Sequence, residues 1–128
     1  MPLTVINGPF IRAGESLSEP INCSGGDLVR ITMPGDWSSG GNLTVQVSTD
    51  GQLFNDLFDA RGTEITLVVT PGAAVPVLDL GHWTRMLGHL KFRSGARNAP
   101  HPQAMEREFA VTISTPDAPV TRSQKGRE

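Results

Sequence analysis

Between residues 43 and 48 apolar and polar side chains alternate one for one: Leu43, Val45 and Val47 against Thr44, Gln46 and Ser48. Successive side chains of a strand point to opposite faces, so this stretch predicts a half-buried β-strand. Asp50-Gly51 follows at once. That dipeptide favours a hairpin, because glycine adopts positive φ without steric cost. Leu53, Phe54 and Leu57 resume the apolar pattern, and residues 43–57 read as a β-hairpin at the centre of an all-β core.

The same period recurs along the chain. Residues 28–33 (LVRITM) predict a strand with Val29, Ile31 and Met33 on one face and Leu28, Arg30 and Thr32 on the other. Residues 63–70 (TEITLVVT) carry Ile65, Val68 and Val69, β-branched residues suited to a pleated buried surface. In residues 89–94 (HLKFRS), Leu90 and Phe92 point in while His89, Lys91 and Arg93 point out. In residues 107–114 (REFAVTIS), Phe109, Val111 and Ile113 share the buried face. Two weaker strands contain proline: residues 17–23 with Pro20 and residues 74–80 with Pro76. Proline lacks the N–H that a central strand must donate, so both belong at a sheet edge, a bulge or a break. Residues 81–88 (GHWTRMLG) are the one plausible helical turn, too short to stand alone. Residues 95–106 read as an irregular polar loop.

This is an antiparallel β-sandwich or jelly roll of about eight strands, with extended N- and C-terminal arms. Residues 1–12 form an N-terminal arm or edge strand, residues 13–114 the sandwich domain, and residues 115–128 an extended tail. In that tail, TPDAPVTRSQKGRE, only Ala118 and Val120 are apolar. It buries too little to fold alone, and a neighbouring chain is expected to hold it.

A chain of 128 residues makes one domain and is long enough to hold a core without staples. Fourteen glycines and ten prolines punctuate it as short strands and many turns require. A formal net charge of −2 gives it no overall pull toward nucleic acid or an anionic membrane. Of its eleven basic residues nine are Arg, the cation suited to bidentate pairing at protein interfaces. Its N-terminus lacks a signal-peptide pattern, and no apolar run approaches the roughly 20 residues that span a bilayer. The expectation is a soluble protein made in the cytoplasm. The single cysteine, Cys23, cannot form an internal disulfide and reads as a small buried residue.

Candidate chemistry is sparse. His82, His89 and His101 have no metal-ligand spacing, alone or with Cys23. Asp50, Asn55, Asp56 and Asp59 lack the calcium-loop pattern. Asp50 reads as a turn residue, the other three as solvent-facing. A nucleophile elbow, a P-loop and a dinucleotide fingerprint are all missing. No enzymatic activity, cofactor or metal is expected. Trp37 and Trp83 sit in loops where a glycan platform would lie, although tryptophan more often plugs a core. Arg122, Lys125 and Arg127 in the tail face Asp117 and Glu128 and gain little affinity for phosphate.

Four blocks in order, AGESLSEPI (13–21), MPGDW (33–37), LTVQVSTDGQLFNDL (43–57) and LKFRSG (90–95), resemble a family of tailed-bacteriophage virion structural proteins. The resemblance spans about residues 11–95 and departs from the family's pattern at Val45, where Phe is common. It implies a particle component with no catalytic role. Within that class the chain's features suit a capsid cement or decoration protein on the shell surface. Such a protein bridges copies of the major capsid protein and binds as a dimer or trimer of itself. It needs no small-molecule ligand, nucleic acid or membrane.

The expected contacts lie in residues 1–12, the 95–106 loop and the tail. The side chains singled out are Phe10, Arg12, Arg97 and His101, with Arg107, Val120 and Arg122. Two other readings are a carbohydrate-binding module of a phage tail or head fibre, acting through Trp37 or Trp83, and a tail or head–tail connector subunit.

Overall fold

A computed structural model of the protein describes residues 3–23, 26–38, 41–77 and 88–115. Ten strands occur among them: β1 (Leu3–Ile11), β2 (Ile21–Asn22), β3 (Asp27–Thr32), β4 (Leu43–Ser48), β5 (Phe54–Asp56), β6 (Thr66–Leu67), β7 (Ala74–Pro76), β8 (His89–Ala96), β9 (Ala99–Pro100) and β10 (Arg107–Ser114). The described residues contain no helix. The chain is all-β with two antiparallel sheets. One runs β1-β10-β3-β7. The other runs β2-β8-β4-β5, with β6 also on β4 and β9 on β8. The count exceeds the expected eight because residues 3–11 form β1 and the 95–106 loop contains the two-residue β9.

Both sheets feed one apolar cluster. Ile11, Leu28, Ile31, Phe109, Val111 and Ile113 come from the first sheet. Leu43, Val45, Leu90 and Phe92 come from the second, and Cys23, Met33, Trp37 and Val69 join from the connections. The Phe92 and Phe109 rings meet edge-to-face across the two sheets with centroids 5.5 Å apart. Burying a side chain of this size stabilises by roughly 1.5–3 kcal/mol.

The N-terminal segment is an edge strand, and the extended arm is not formed. Residues 3–11 pair with β10 along their length, from Leu3 opposite Ser114 to Ile11 opposite Arg107. The register slips once, at Asn7/Gly8. The two prolines fall where their missing donors predict. Pro20 ends the 17–23 stretch as a strand, leaving a single bridge at Leu17 and the edge strand β2. Pro76 lies in β7, the far edge of the first sheet.

Other expectations need correction. In β3, Leu28 and Ile31 are both buried although strict alternation puts them on opposite faces. A bulge explains it. Thr112 pairs with Arg30 and Ile113 with Leu28, so Val29 has no partner on β10 and the phase shifts by one. The Val29 carbonyl instead accepts the Val77 N–H at 2.9 Å.

The 43–57 stretch forms a hairpin, but its connection is five residues long, 49–53, and Leu53 is exposed. Its tip is closed by the Asp50 carboxylate, which accepts the Gln52 and Leu53 N–H groups at 2.9 Å each, while Gly51 takes a φ of 82°. In the 63–70 stretch only two residues form a strand. Val68 is 70% exposed while Val69 is buried. The 95–106 loop is partly regular, since β9 returns onto β8 through a tight turn at Arg97-Asn98. The end of the 74–80 strand, the 81–88 turn up to residue 87, and the tail from residue 116 lie outside the described residues.

Candidate functional site

Arg93 belongs to the polar side of β8, opposite Thr44 of β4, yet it is only 9% exposed. The segment after β5 covers it. That segment leaves the sheet through Leu57, whose N–H donates to the Val45 carbonyl at 2.9 Å. It turns at Asp59, whose carboxylate accepts the Arg61 and Thr63 N–H groups, and returns through a bridge between Phe58 and Glu64. Two carboxylates are thereby placed over Arg93. Its Nη2 donates to Asp56 Oδ1 at 2.5 Å, and its Nη1 to Glu64 Oε2 at 3.3 Å.

Arg97 completes the group. Its side chain pairs with Asp56 Oδ2 at 3.3 Å, and its backbone N–H donates to the Glu64 carboxylate at 3.1 Å. Gln46 Nε2 donates to Asp56 Oδ1 at 3.1 Å. Burial alone would raise the Asp56 pKa. The hydrogen bonds from Arg93 and Gln46 and the charges of Arg93 and Arg97 outweigh it and hold the carboxyl below its ordinary value. The group has two cations and two anions, already engaged with one another. Chemically it is a tie between β5, β8 and the 57–65 segment. The expectation that Arg93 and Asp56 face solvent is therefore corrected.

A second polar group surrounds Gln103, which is fully buried. Its Oε1 accepts the Ser38 N–H at 3.3 Å and Arg107 Nε at 3.1 Å, while its Nε2 donates to Ser94 Oγ at 2.9 Å. Its backbone N–H donates to the Glu15 carbonyl, and its own carbonyl accepts from Gly14. Arg107 reaches on to Asp36 at 3.2 Å. Ser38 Oγ and His101 Nε2 lie 3.0 Å apart. Among the described residues no carboxylate bonds to His101, and the Ser38 N–H is already engaged. The group fastens residues 36–38 to the 101–107 segment.

The singled-out interface residues divide. Arg12 is exposed at one end of β1. Its guanidinium lies 5.5 Å over the Phe10 ring and pairs with Glu19 at 2.7 Å. Phe10 is half-buried. Arg97 is exposed over the Phe58 ring at 5.7 Å. His101 is half-buried against Ser38. Arg107 is buried and bonded to Gln103 and Asp36, so it is not a surface contact. Val120 and Arg122 lie outside the described residues.

Trp37 is a core residue. It is 3% exposed, packs edge-to-face on Phe109 at 6.0 Å, and donates Nε1–H to the Gly41 carbonyl at 2.7 Å. It presents no platform to a glycan. Trp83 lies outside the described residues. Of the acids weighed for calcium, Asp50 and Asp59 close their own turns, Asp56 is held by arginines, and Asn55 is exposed. Cys23 is buried, and burial pushes its thiol pKa up to about 11.

The surface feature that sequence reading left undecided is the free side of β1. Leu3 and Val5 are 58% and 52% exposed, and Thr4 and Asn7 are exposed as well. No residue of Leu3–Ile11 carries a charge, so the edge lacks one of the usual protections, charged side chains. Comparisons of the chain with protein-family models, with curated proteins and with solved structures returned no match.

Proposed function

We propose that this chain is a structural protein of a tailed-bacteriophage particle, a cement or decoration subunit that bridges capsid subunits on the shell surface. One observation carries the reading beyond the resemblance itself: the four resembling blocks are neighbours in space and serve as framework. The Ser18 N–H donates to the Phe92 carbonyl at 2.8 Å, and Ser18 Oγ accepts the Phe92 N–H at 2.9 Å, joining the first block to the fourth. The Ser94 N–H donates to the Ser16 carbonyl at 2.7 Å. The third block pairs with the fourth along β4 and β8, and Trp37 of the second packs in the core. The polar side chains of these blocks form turns, ties and caps, so the blocks support a body whose contacts lie elsewhere.

In this reading the two sheets close over their shared core as a sandwich of jelly-roll type. The partners are the major capsid protein and further copies of the chain. The contacts are the β1 edge, the exposed Arg12 and Arg97, and the 115–128 tail. A free sheet edge can add a partner's strand, with main-chain hydrogen bonds supplying affinity.

Electron cryo-microscopy of particles assembled with and without the chain tests the proposal. The expected result is extra density on the outer shell that disappears when the chain is omitted. A chain lacking 115–128 is expected to melt as the full chain does but to occupy the shell less. Density confined to the tail or the head–tail junction, or no density on the particle, overturns the cement reading.

A further inference from the structure

We infer that the free edge of β1 is a self-association site, where a second copy of this chain adds its own β1 in antiparallel register centred on Val5. This deepens the proposed function, on which it rests for its biological setting, by assigning the β1 edge to contacts between copies and fixing their register. The argument is the geometry of the edge. Beyond Asn7 the strand is unsuited to pairing. The register slips at Asn7/Gly8, Pro9 has no N–H to donate, and the Phe10 carbonyl already accepts from Glu19. The regular free segment is therefore residues 3–7, and Val5 is its midpoint.

Those five residues, Leu-Thr-Val-Ile-Asn, are uncharged. Leu3 and Val5 lie on one face, both more than half exposed. The other edges among the described residues suit a partner less well. β2 is two residues long, β5 ends in Asp56, and β7 is three residues ending in Pro76.

The occupant follows from complementarity. An uncharged edge with exposed apolar side chains on one face calls for a strand of the same kind, and β1 is its own match. Pairing about Val5 sets Val5 against its equivalent, Leu3 against Asn7 and Thr4 against Ile6. A two-fold axis through the Val5 pair makes the contact isologous and closed. Val5 then packs directly against its equivalent across the antiparallel ladder, and Leu3 lies opposite Asn7 of the other copy on the same face.

So short a strand pair buries less than the roughly 1,200 Å² typical of stable interfaces. The pairing in free solution is therefore expected to be weak and transient. Copies held on a common surface meet at a far higher effective concentration, where contacts of this strength persist.

Sedimentation velocity of the full chain, from about 5 to 500 μM, tests the inference without any particle. A concentration-dependent monomer–dimer shift is expected. Val5→Lys replaces an exposed side chain, should melt within a few degrees of wild type, and is expected to remain monomeric throughout. Val5→Cys is expected to give a disulfide-linked dimer under mild oxidation, whereas Asn55→Cys, on the other sheet, is not. Cys23 is buried and does not compete. A wild-type chain that stays monomeric at every concentration, a dimer that survives Val5→Lys, or a dimer that Val5→Cys does not cross-link overturns the inference. So does a chain that dimerises only after residues 115–128 are removed, because the edge then belongs to the chain's own tail.

Discussion

Arg93 and Asp56 are joined guanidinium to carboxylate between β8 and β5, at positions where strand alternation alone places both in water. The 57–65 segment folds over the pair and adds Glu64, so a salt bridge that would be weak on an open sheet is largely enclosed. Enclosed charges are costly to orphan, because the partner left behind keeps its desolvation without its attraction.

Replacing Arg93 by Met removes the cation and leaves Asp56 and Glu64 enclosed together. The expected loss is about 3 kcal/mol of unfolding free energy, read as a lowered urea midpoint. The 57–65 segment should lose amide protection first, which hydrogen exchange of the Leu57 and Ile65 amides will show. An unchanged midpoint would mean that water already screens the group.

The chain should lose stability in acid in a particular window. The folded-state pKa of Asp56 lies below its ordinary 3.8, as do those of Asp50 and Asp59, whose carboxylates accept backbone N–H groups of their own turns. A carboxyl with a depressed folded pKa stabilises fully above the unfolded value and loses that contribution as pH falls through the folded one. Urea midpoints should be flat from about pH 7 to 5 and decline below about pH 4. Asp56→Asn should be less stable at neutral pH and decline less steeply in acid. An equal decline in both proteins would remove Asp56 from the explanation.

Gly95 is expected to tolerate no side chain. It sits at φ 94° where β8 turns into β9, and a Cβ there would lie 2.5 Å from both the Ala99 carbonyl oxygen and the His101 nitrogen. These are backbone atoms that cannot swing aside. Gly95→Ala should cost about 2–4 kcal/mol from strain and overpacking combined. Gly62, with positive φ but open space around it, is the control. Gly62→Ala should show a smaller loss in thermal melts.

Cys23 should be inert in the folded chain. The reactive species is the thiolate, and a thiol pKa of about 11 with no exposed surface denies both charge and access. Reaction with a thiol reagent at pH 8 should proceed only as fast as the chain opens, and should become rapid in urea. Immediate labelling of the native protein would contradict the burial.

Which parts of this fold were legible beforehand follows a physical division. In the sequence β4, β8 and β10 alternate because one side of each meets the shared core, and Leu43, Val45, Leu90, Phe92, Phe109 and Val111 are buried there, although Thr44, Arg93, Ser94 and Thr112 between them are covered as well. Pro20 and Pro76 marked edges because a missing donor is a local property. β3 was misread because the bulge at Val29 is created by pairing with β10, more than 70 residues away in sequence. Gln103 gave no signal at all. Its burial depends on Ser38, Ser94 and Arg107 arriving together.

By itself, the sequence determined the all-β class, most strand positions, the prolines' edge locations and the burial of Cys23. Each of these follows from side-chain period, backbone chemistry or residue type within a few residues. Only the tertiary structure decided that residues 3–11 pair as a strand, that Trp37 faces inward, that Arg93 and Arg107 are enclosed, and that the outer side of β1 is uncharged and exposed. Those properties depend on which distant segment covers a residue, and covering is set by how the two sheets and their connections meet.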